Sequence, residues 1–271
     1  GHSADVTIFG SGDVLISDGT DTGDILTHVP RPDYDRYHAG DVNVTHDGDF
    51  SVGNIETWVK GKGRIGAVML DGGSAQGDAV VEGYIKTVVT DADRVYEQNA
   101  IEVKNYNNVT IEGDVLAQFD GTSFDDTDRT TDLTITNNIA GNINLHGEIN
   151  LWASAVDGYN GSLELACDGT ITLAELDMDK VAYAYISSSE SQITGALSNF
   201  DTNNFTVSGG VYTPDETNLR VPPGQSIYYD YVAGGLNDYL GGYTWQLKDL
   251  DGSSPGGLLS PPASGTIFIV Y

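Results

Sequence analysis

Aspartate is the residue with which this chain has most opportunity to do chemistry. Of its 40 acidic residues 30 are Asp, set against only 12 Lys and Arg. Hard cations select clustered oxygen ligands, and three segments offer them. Asp18, Asp21 and Asp24 recur at three-residue spacing, Asp125, Asp126, Asp128 and Asp132 share one loop, and Asp249 and Asp251 precede Gly252. Calcium is therefore the one cofactor expected, with Asp125, Asp126, Asp128, Asp132, Asp249 and Asp251 as candidate ligands. None of these clusters completes an EF-hand loop, because the Glu that closes such a loop is missing each time, and the Gly-Gly-x-Gly-x-Asp repeat of calcium-binding β-rolls is absent. Carboxylates solvated in turns are the plainer reading of any single cluster.

Carboxylate pairs also serve glycosidases, but in so acidic a chain coincidental pairs are guaranteed and carry no information. The bases are more telling because they are few. Lys60, Lys62 and Arg64 form the one local basic cluster, on a Gly-spaced hairpin or turn read as an exposed corner. The stretch His28-Val-Pro-Arg-Pro-Asp-Tyr-Asp-Arg-Tyr-His38 mixes His, Arg and Asp and is the first place to look for activity. Ser-His-Asp catalysis would draw on His28, His38, His46 or His146, and no Gly-x-Ser-x-Gly elbow precedes any of them. No catalytic constellation is identified, and the chain is not read as an enzyme. Tyr outnumbers Phe, 15 to 7. Tyr183, Tyr185, Tyr228, Tyr229, Tyr231, Tyr239 and Tyr243 provide ring faces for partner interfaces or for sugar stacking, with the interface reading weighted higher.

The net charge of −28 disfavours nucleic acid and anionic membrane surfaces, whose phosphates it repels. No apolar stretch approaches the roughly 20 residues that span a bilayer as a helix. Cys167 is the sole cysteine, which excludes an internal disulfide or a cysteine-built zinc site. Lying in an alternating run, it reads as a small buried hydrophobe. Sequons at Asn43, Asn108, Asn160 and Asn204 are glycosylation candidates and suit an extracellular or cell-surface location. The start Gly1-His2-Ser3 fits either a tag scar or a mature terminus.

These residues must be positioned by strands. Pro is absent from Asp33 to Thr213 and then occurs six times from Pro214 to Pro262. Because Pro cannot donate to a β ladder, the Pro-free interval suits continuously paired strands. A phrase of Gly, a small or polar residue and alternating apolar positions starts at Gly12, Gly40, Gly77, Gly113, Gly141 and Gly169, with looser copies at Gly48, Gly147 and Gly161. Spacings near 28 residues mark a repeat whose units bury their apolar faces on each other. Strand runs are predicted at Val6–Phe9, Val42–Thr45, Ile65–Leu70, Val80–Thr90, Ile101–Lys104, Val109–Ile111, Leu133–Thr136, Ile149–Trp152 and Leu163–Ala166. The one helical candidate, Leu173 to Tyr185, is rich in β-branched and aromatic residues and reads as strand. The fold expected is all-β, a parallel β-helix or β-solenoid over 4–213 with roughly seven coils. Residues 214–271 form a loop-rich, Pro/Gly-rich wrap with a terminal strand, and Asp18–Ala39 and Phe119–Asp132 leave the solenoid as side loops.

Asn-rich turns such as Asn105-Tyr-Asn-Asn-Val-Thr-Ile-Glu-Gly113 and Asn137-Asn-Ile-Ala-Gly-Asn-Ile-Asn-Leu145 resemble those of right-handed parallel β-helix proteins of bacterial surfaces. The tail Leu219–Asp230, followed by Tyr239-Leu-Gly-Gly-Tyr243, looks like the wrap that closes secreted β-helical proteins of aquatic bacteria. The resemblance implies a scaffold and transfers no functional residue. The function expected is that of an extracellular structural or adhesive solenoid, self-assembling through a C-terminal strand. Ile267, Phe268, Ile269, Val270 and Tyr271 are its candidate contacts, beside Val6–Phe9 of the next subunit or back on its own body. The alternative is a carbohydrate-active protein, a lyase, hydrolase or binding module. The partners expected are thus further copies of the chain or a polysaccharide.

Overall fold

A computed structural model describes residues 3–17, 22–30, 37–60, 63–64, 66–74, 77–92, 100–121, 132–137, 141–151, 161–177, 180–181, 183–188, 190–198, 205–208, 211–214, 219–220, 226–232, 245–249 and 257–260. The described residues hold strands and turns and no α-helix, the segment from Leu173 to Tyr185 included. Along residues 6–198 successive strands do not pair with each other. Each pairs in parallel with a strand about 30 residues away, so the chain coils as a β-solenoid with three faces.

The first face stacks β1 (Val6–Gly10), β5 (Val42–His46), β9 (Val68–Asp71), β12 (Ile101–Lys104), β15 (Leu133–Thr136), β18 (Ser162–Ala166), β21 (Tyr183–Ser187) and β25 (Leu219–Arg220). The second stacks β2 (Val14–Leu15), β6 (Phe50–Val52), β10 (Ala79–Val81), β13 (Val109–Ile111), β16 (Ile143–Leu145), β19 (Thr170–Leu173), β22 (Glu190–Ser198) and β26 (Ser226–Val232). The third stacks β3 (Ile25–Val29), β7 (Ile55–Lys60), β11 (Ile85–Ala92), β14 (Val115–Gly121) and β17 (Ile149–Asn150). Past the third face, β4 (Tyr37–His38) pairs with β8 (Gly63–Arg64), and β20 (Leu176–Asp177) pairs with β22. The second face then changes character. β26 continues antiparallel into β27 (Trp245–Asp249), β28 (Gly257–Ser260), β24 (Val211–Pro214) and β23 (Phe205–Ser208).

Strand alternation sends one side chain of each pair inward, and parallel register stacks like on like. On the third face Ile25, Ile55, Ile85, Val115 and Ile149 form one internal column, and Val29, Val59 and Val89 form another. All three faces contribute to a single apolar core. Each fully buried Val, Leu or Ile contributes about 1.5–3 kcal/mol of hydrophobic stabilisation. Between the two aliphatic columns run Thr27, Thr57 and Thr87. Thr27 and Thr57 donate to the carbonyls of Gly40 and Gly66, both at 2.8 Å, which tie the third face to the corner that follows it.

The corners give eight of the aspartates a structural role. At each one a side-chain oxygen accepts the backbone N–H of the next coil, filling the gap left where the ladder bends. At the corner between faces one and two, Asp13 accepts from Asp49, Asp49 from Asp78, Asp78 from Asn108, Asn108 from Asn142 and Asn142 from Thr170, at 2.9–3.1 Å. At the second corner Asp24 accepts from Asn54, Asn54 from Tyr84 and Asp114 from Glu148. At the third, Asp5 accepts from Asp41, Asp41 from Ala67 and Asp132 from Ser162. Asp and Asn fill one role here because only an acceptor oxygen one carbon beyond Cβ is needed.

The Gly-Asp phrase therefore marks all three corners rather than one position per coil. Gly113 stacks on Gly83 and Gly147 on Gly113, whereas Gly141 stacks on Asn107 and Gly169 on Gly141. The interval from Gly113 to Gly141 crosses between corners and is not a coil length. Asp18–Ala39, expected as a side loop, holds β3, a strand of the third face, because Ile25, Thr27 and Val29 repeat the inward pattern of β7 and β11. Likewise Val80–Thr90 is two strands with a corner at 82–84.

Candidate functional site

The outward positions of the third face bring aromatic, acidic and basic side chains together. In β3, β7 and β11 the inward residues are Ile, Thr and Val, so alternation turns Leu26 and His28, Glu56 and Trp58, and Lys86 outward. Register places Leu26, Glu56 and Lys86 in one column and His28 and Trp58 in the next. Adjacent coils lie about 4.8 Å apart, which is side-chain contact distance. Tyr84 joins the group from the second corner, where its N–H is held by Asn54 at 3.0 Å.

Glu56 is the centre of the group. One carboxylate oxygen lies 3.3 Å from Nε2 of His28, and the other accepts the Tyr84 hydroxyl at 2.8 Å. The His28 ring meets Trp58 edge-on at 5.6 Å between centroids. Nε1 of Trp58 donates to Thr90 at 3.2 Å, and Nζ of Lys86 sits 3.7 Å from the centre of the Tyr84 ring. That last geometry is a cation–π contact, which fixes the ammonium against the ring face. Burial and the hydrogen bond to Glu56 push the Tyr84 phenol up to about 12. At neutral pH it is therefore a donor and not a base. Glu56 ties His28 and Tyr84 together across three coils, and Lys86 is held by Tyr84 on its own coil, so the face combines two aromatic rings, an imidazole, a carboxylate and an ammonium.

Lys60 closes β7 on the same face. Just beyond, β4 and β8 set His38 in register with Arg64. The two ends of the mixed stretch, His28 and His38, thus pair in register with Trp58 and Arg64 of the adjacent coil. The Ile-x-Thr-x-Val recurrence at 25, 55 and 85 is the signal that would have found the face.

The other expected residues are distributed as follows. Asp125, Asp126, Asp128, Asp251, Asn160, Asn204, Tyr239, Tyr243 and residues 267–271 lie outside the described residues. Asp132 spends an oxygen on the Ser162 N–H at 2.8 Å, and Asp249 ends β27 opposite Gly257. Among the described residues no group of three or more His, Cys, Asp or Glu is placed to hold a metal. Asn43 lies in β5, in register with Thr7 and Met69. The Asn108 amide is engaged at its corner, donating to Asp78 at 2.8 Å and accepting from Asn142 at 3.1 Å. Tyr183 and Tyr185 fall in β21 and Tyr228, Tyr229 and Tyr231 in β26. Cys167 is buried, and burial pushes its thiol up. Among the described residues no helix is long and apolar enough to cross a membrane.

Compared with protein-family models, with curated proteins and with solved structures, the chain matches none.

Proposed function

We propose that this chain is an adhesive β-solenoid that binds polysaccharide through its third face and works outside the cell. The observation that carries the reading is the convergence of His28, Glu56, Trp58, Tyr84 and Lys86 from three adjacent coils on one face. Sugar recognition needs aromatic surface for the apolar side of a pyranose and fixed donors and acceptors for its hydroxyls. Both are present, and the polar groups are held by each other rather than by mobile loops. A stacked sheet extends its surface by one strand spacing per coil, which suits an extended polymer better than a single small molecule. The four sequons supply the sequence support for an extracellular setting.

The test is a glycan array followed by calorimetry on the tightest ligand, with the wild-type chain and Trp58→Ala. Trp58 points out of the core, so its removal leaves the solenoid intact. Buried aromatic anchors dominate interface energetics, and truncation should weaken binding at least about tenfold. Circular dichroism should stay unchanged. A wild-type chain that retains no glycan on the array, or a Trp58→Ala variant that binds as tightly as the wild type, sinks the reading.

A further inference from the structure

The first coil carries the inward pattern of the others but is covered on one side alone. From Val42 to Leu173 the inward Val, Leu and Ile of the first and second faces are 0–2% exposed, whereas Val6, Ile8, Val14 and Ile16 are only partly buried. On the outside of the same coil Phe9 is 85% exposed and Leu15 65%, the two most exposed large apolar side chains among the described residues. Among those residues β1 has a single neighbour, β5. The N–H of Val6 donates to the Asp41 carbonyl at 2.8 Å, so Val6 and Ile8 turn their backbone groups to the second coil. Thr7 and Phe9, alternating with them, turn theirs to the open edge, which is a template for another strand. One segment of the chain matches that template. The tripeptide Thr-Ile-Phe occurs twice, as Thr7-Ile8-Phe9 in β1 and as Thr266-Ile267-Phe268.

We infer that residues 265–271 of one chain add a parallel strand to β1 of a second copy, with Thr266 on Thr7, Ile267 on Ile8 and Phe268 on Phe9. This register continues the rule of like on like that builds the solenoid. Ile267 extends the inward column that runs from Ile8 through Val44 and Leu70 to Leu165, and covers the half-open Ile8. Phe268 meets Phe9 on the outer side, where cross-strand aromatic pairs are favoured. In strand addition the main-chain bonds supply affinity and the alternating side chains supply the choice of partner. The donor is not the same molecule. β28 ends at Ser260 and lies nine strand spacings from β2 along the second sheet, about 43 Å. From Ser260 to Thr266 an extended chain spans at most about 22 Å, which falls short of its own first coil. Each copy thus gives one strand and receives one, a head-to-tail contact that propagates into open strings of subunits unless its rotation closes a ring.

The experiment is sedimentation velocity of the full chain over a wide range of concentration, beside two variants. Phe9→Asp spoils the receiving edge at an exposed position, and a chain shortened to end at Ser264 lacks the donated strand. Circular dichroism checks that both keep the β spectrum. The inference expects the full chain to assemble as its concentration rises, and each variant alone to need about tenfold more protein, or beyond, to do so. It expects an equimolar mixture of the two variants to form a dimer and nothing larger, because one still donates the strand and the other still receives it. A full chain that stays monomeric throughout overturns the inference. A shortened chain that loses its β spectrum overturns it by showing the segment packed on its own body. A shortened chain that associates as well as the full chain, while Phe9→Asp does not, overturns it in favour of two first-coil edges pairing with each other.

Discussion

Gly77→Val is expected to remove more than about 3 kcal/mol of folding stability, whereas Gly12→Val leaves it nearly untouched, although both residues open the same Gly-Asp phrase. The difference is what lies beneath them. A Cβ at Gly77 would overlap the carbonyl of Gly48 on the preceding coil, which is backbone and cannot swing aside. A Cβ at Gly12, on the first coil, meets nothing within 4 Å. Overpacking against a rigid neighbour costs about 1–3 kcal/mol per site. Here the displaced carbonyl belongs to a corner from which Asp49 and Asp78 continue the hydrogen-bonded column, so the expected loss is more than about 3 kcal/mol. Thermal melts followed by far-UV circular dichroism would show a fall in Tm for Gly77→Val and a shift within error for Gly12→Val. Equal melting of the two variants would contradict the stacking of these corners.

Tyr106 is the second site where a single atom should matter. It is fully buried, its hydroxyl lies 2.9 Å from Nε2 of His46, and Phe50 packs on the same imidazole. Among the described residues Nδ1 of His46 has no hydrogen-bond partner. Tyr106→Phe then leaves both ring nitrogens of a buried His unpaired, at a cost of about 1–3 kcal/mol. Tyr106→Ala adds a cavity and should cost about 3–5 kcal/mol. Burial also pushes the Tyr106 phenol well above its ordinary 10.0. With the folded value raised, this contribution to stability is intact below pH 10, where both states are neutral, and is lost as the unfolded phenol ionises above it. The loss is at most about 1.4 kcal/mol per pH unit for one group. Tyr84 shifts in the same sense, with its window between 10.0 and about 12. Urea denaturation at pH 8, 10 and 11 should show stability falling above pH 10 and falling less steeply in Tyr106→Phe. A pH-independent stability, or identical slopes for the two proteins, would refute the account of this pair.

Much of the solenoid is legible in the chain because its rule is local. Val42–Thr45, Ile101–Lys104, Val109–Ile111 and Leu133–Thr136 alternate cleanly, and each proves to be a strand of the first or second face. The third face is harder to read. Ile25–Val29 sits in a segment dense with Asp and Pro that looks like a loop, and Ile55–Lys60 ends in the basic cluster read as a turn. Their likeness is to each other, 30 residues apart, and only parallel register turns that likeness into adjacency. The site shares this property. His28, Glu56 and Tyr84 carry no motif between them, since each comes from a different coil and the contact depends on pairing that no local window contains.

The acids illustrate the converse. Clusters such as Asp18, Asp21 and Asp24 invite a metal reading because clustering is visible in sequence and hydrogen bonding is not. Asp24 is a corner acceptor, with both the N–H and the Nδ2 of Asn54 on the same oxygen at 2.8 and 2.9 Å. The corner acceptors named above are Asp or Asn and none is Glu, whose longer side chain would overshoot the next coil's N–H.

The third face as the binding surface is tested most directly by hydroxyl-radical footprinting of the full chain, with and without a saturating amount of the tightest polysaccharide. Phe9 and Leu15 are internal standards, since they are 85% and 65% exposed and project from the first and second faces. The account predicts that labelling of His28, Trp58 and Tyr84 falls severalfold on binding while labelling of Phe9 and Leu15 does not change. Unchanged labelling of Trp58 and Tyr84, with protection appearing at Phe9 or Leu15 instead, would contradict it.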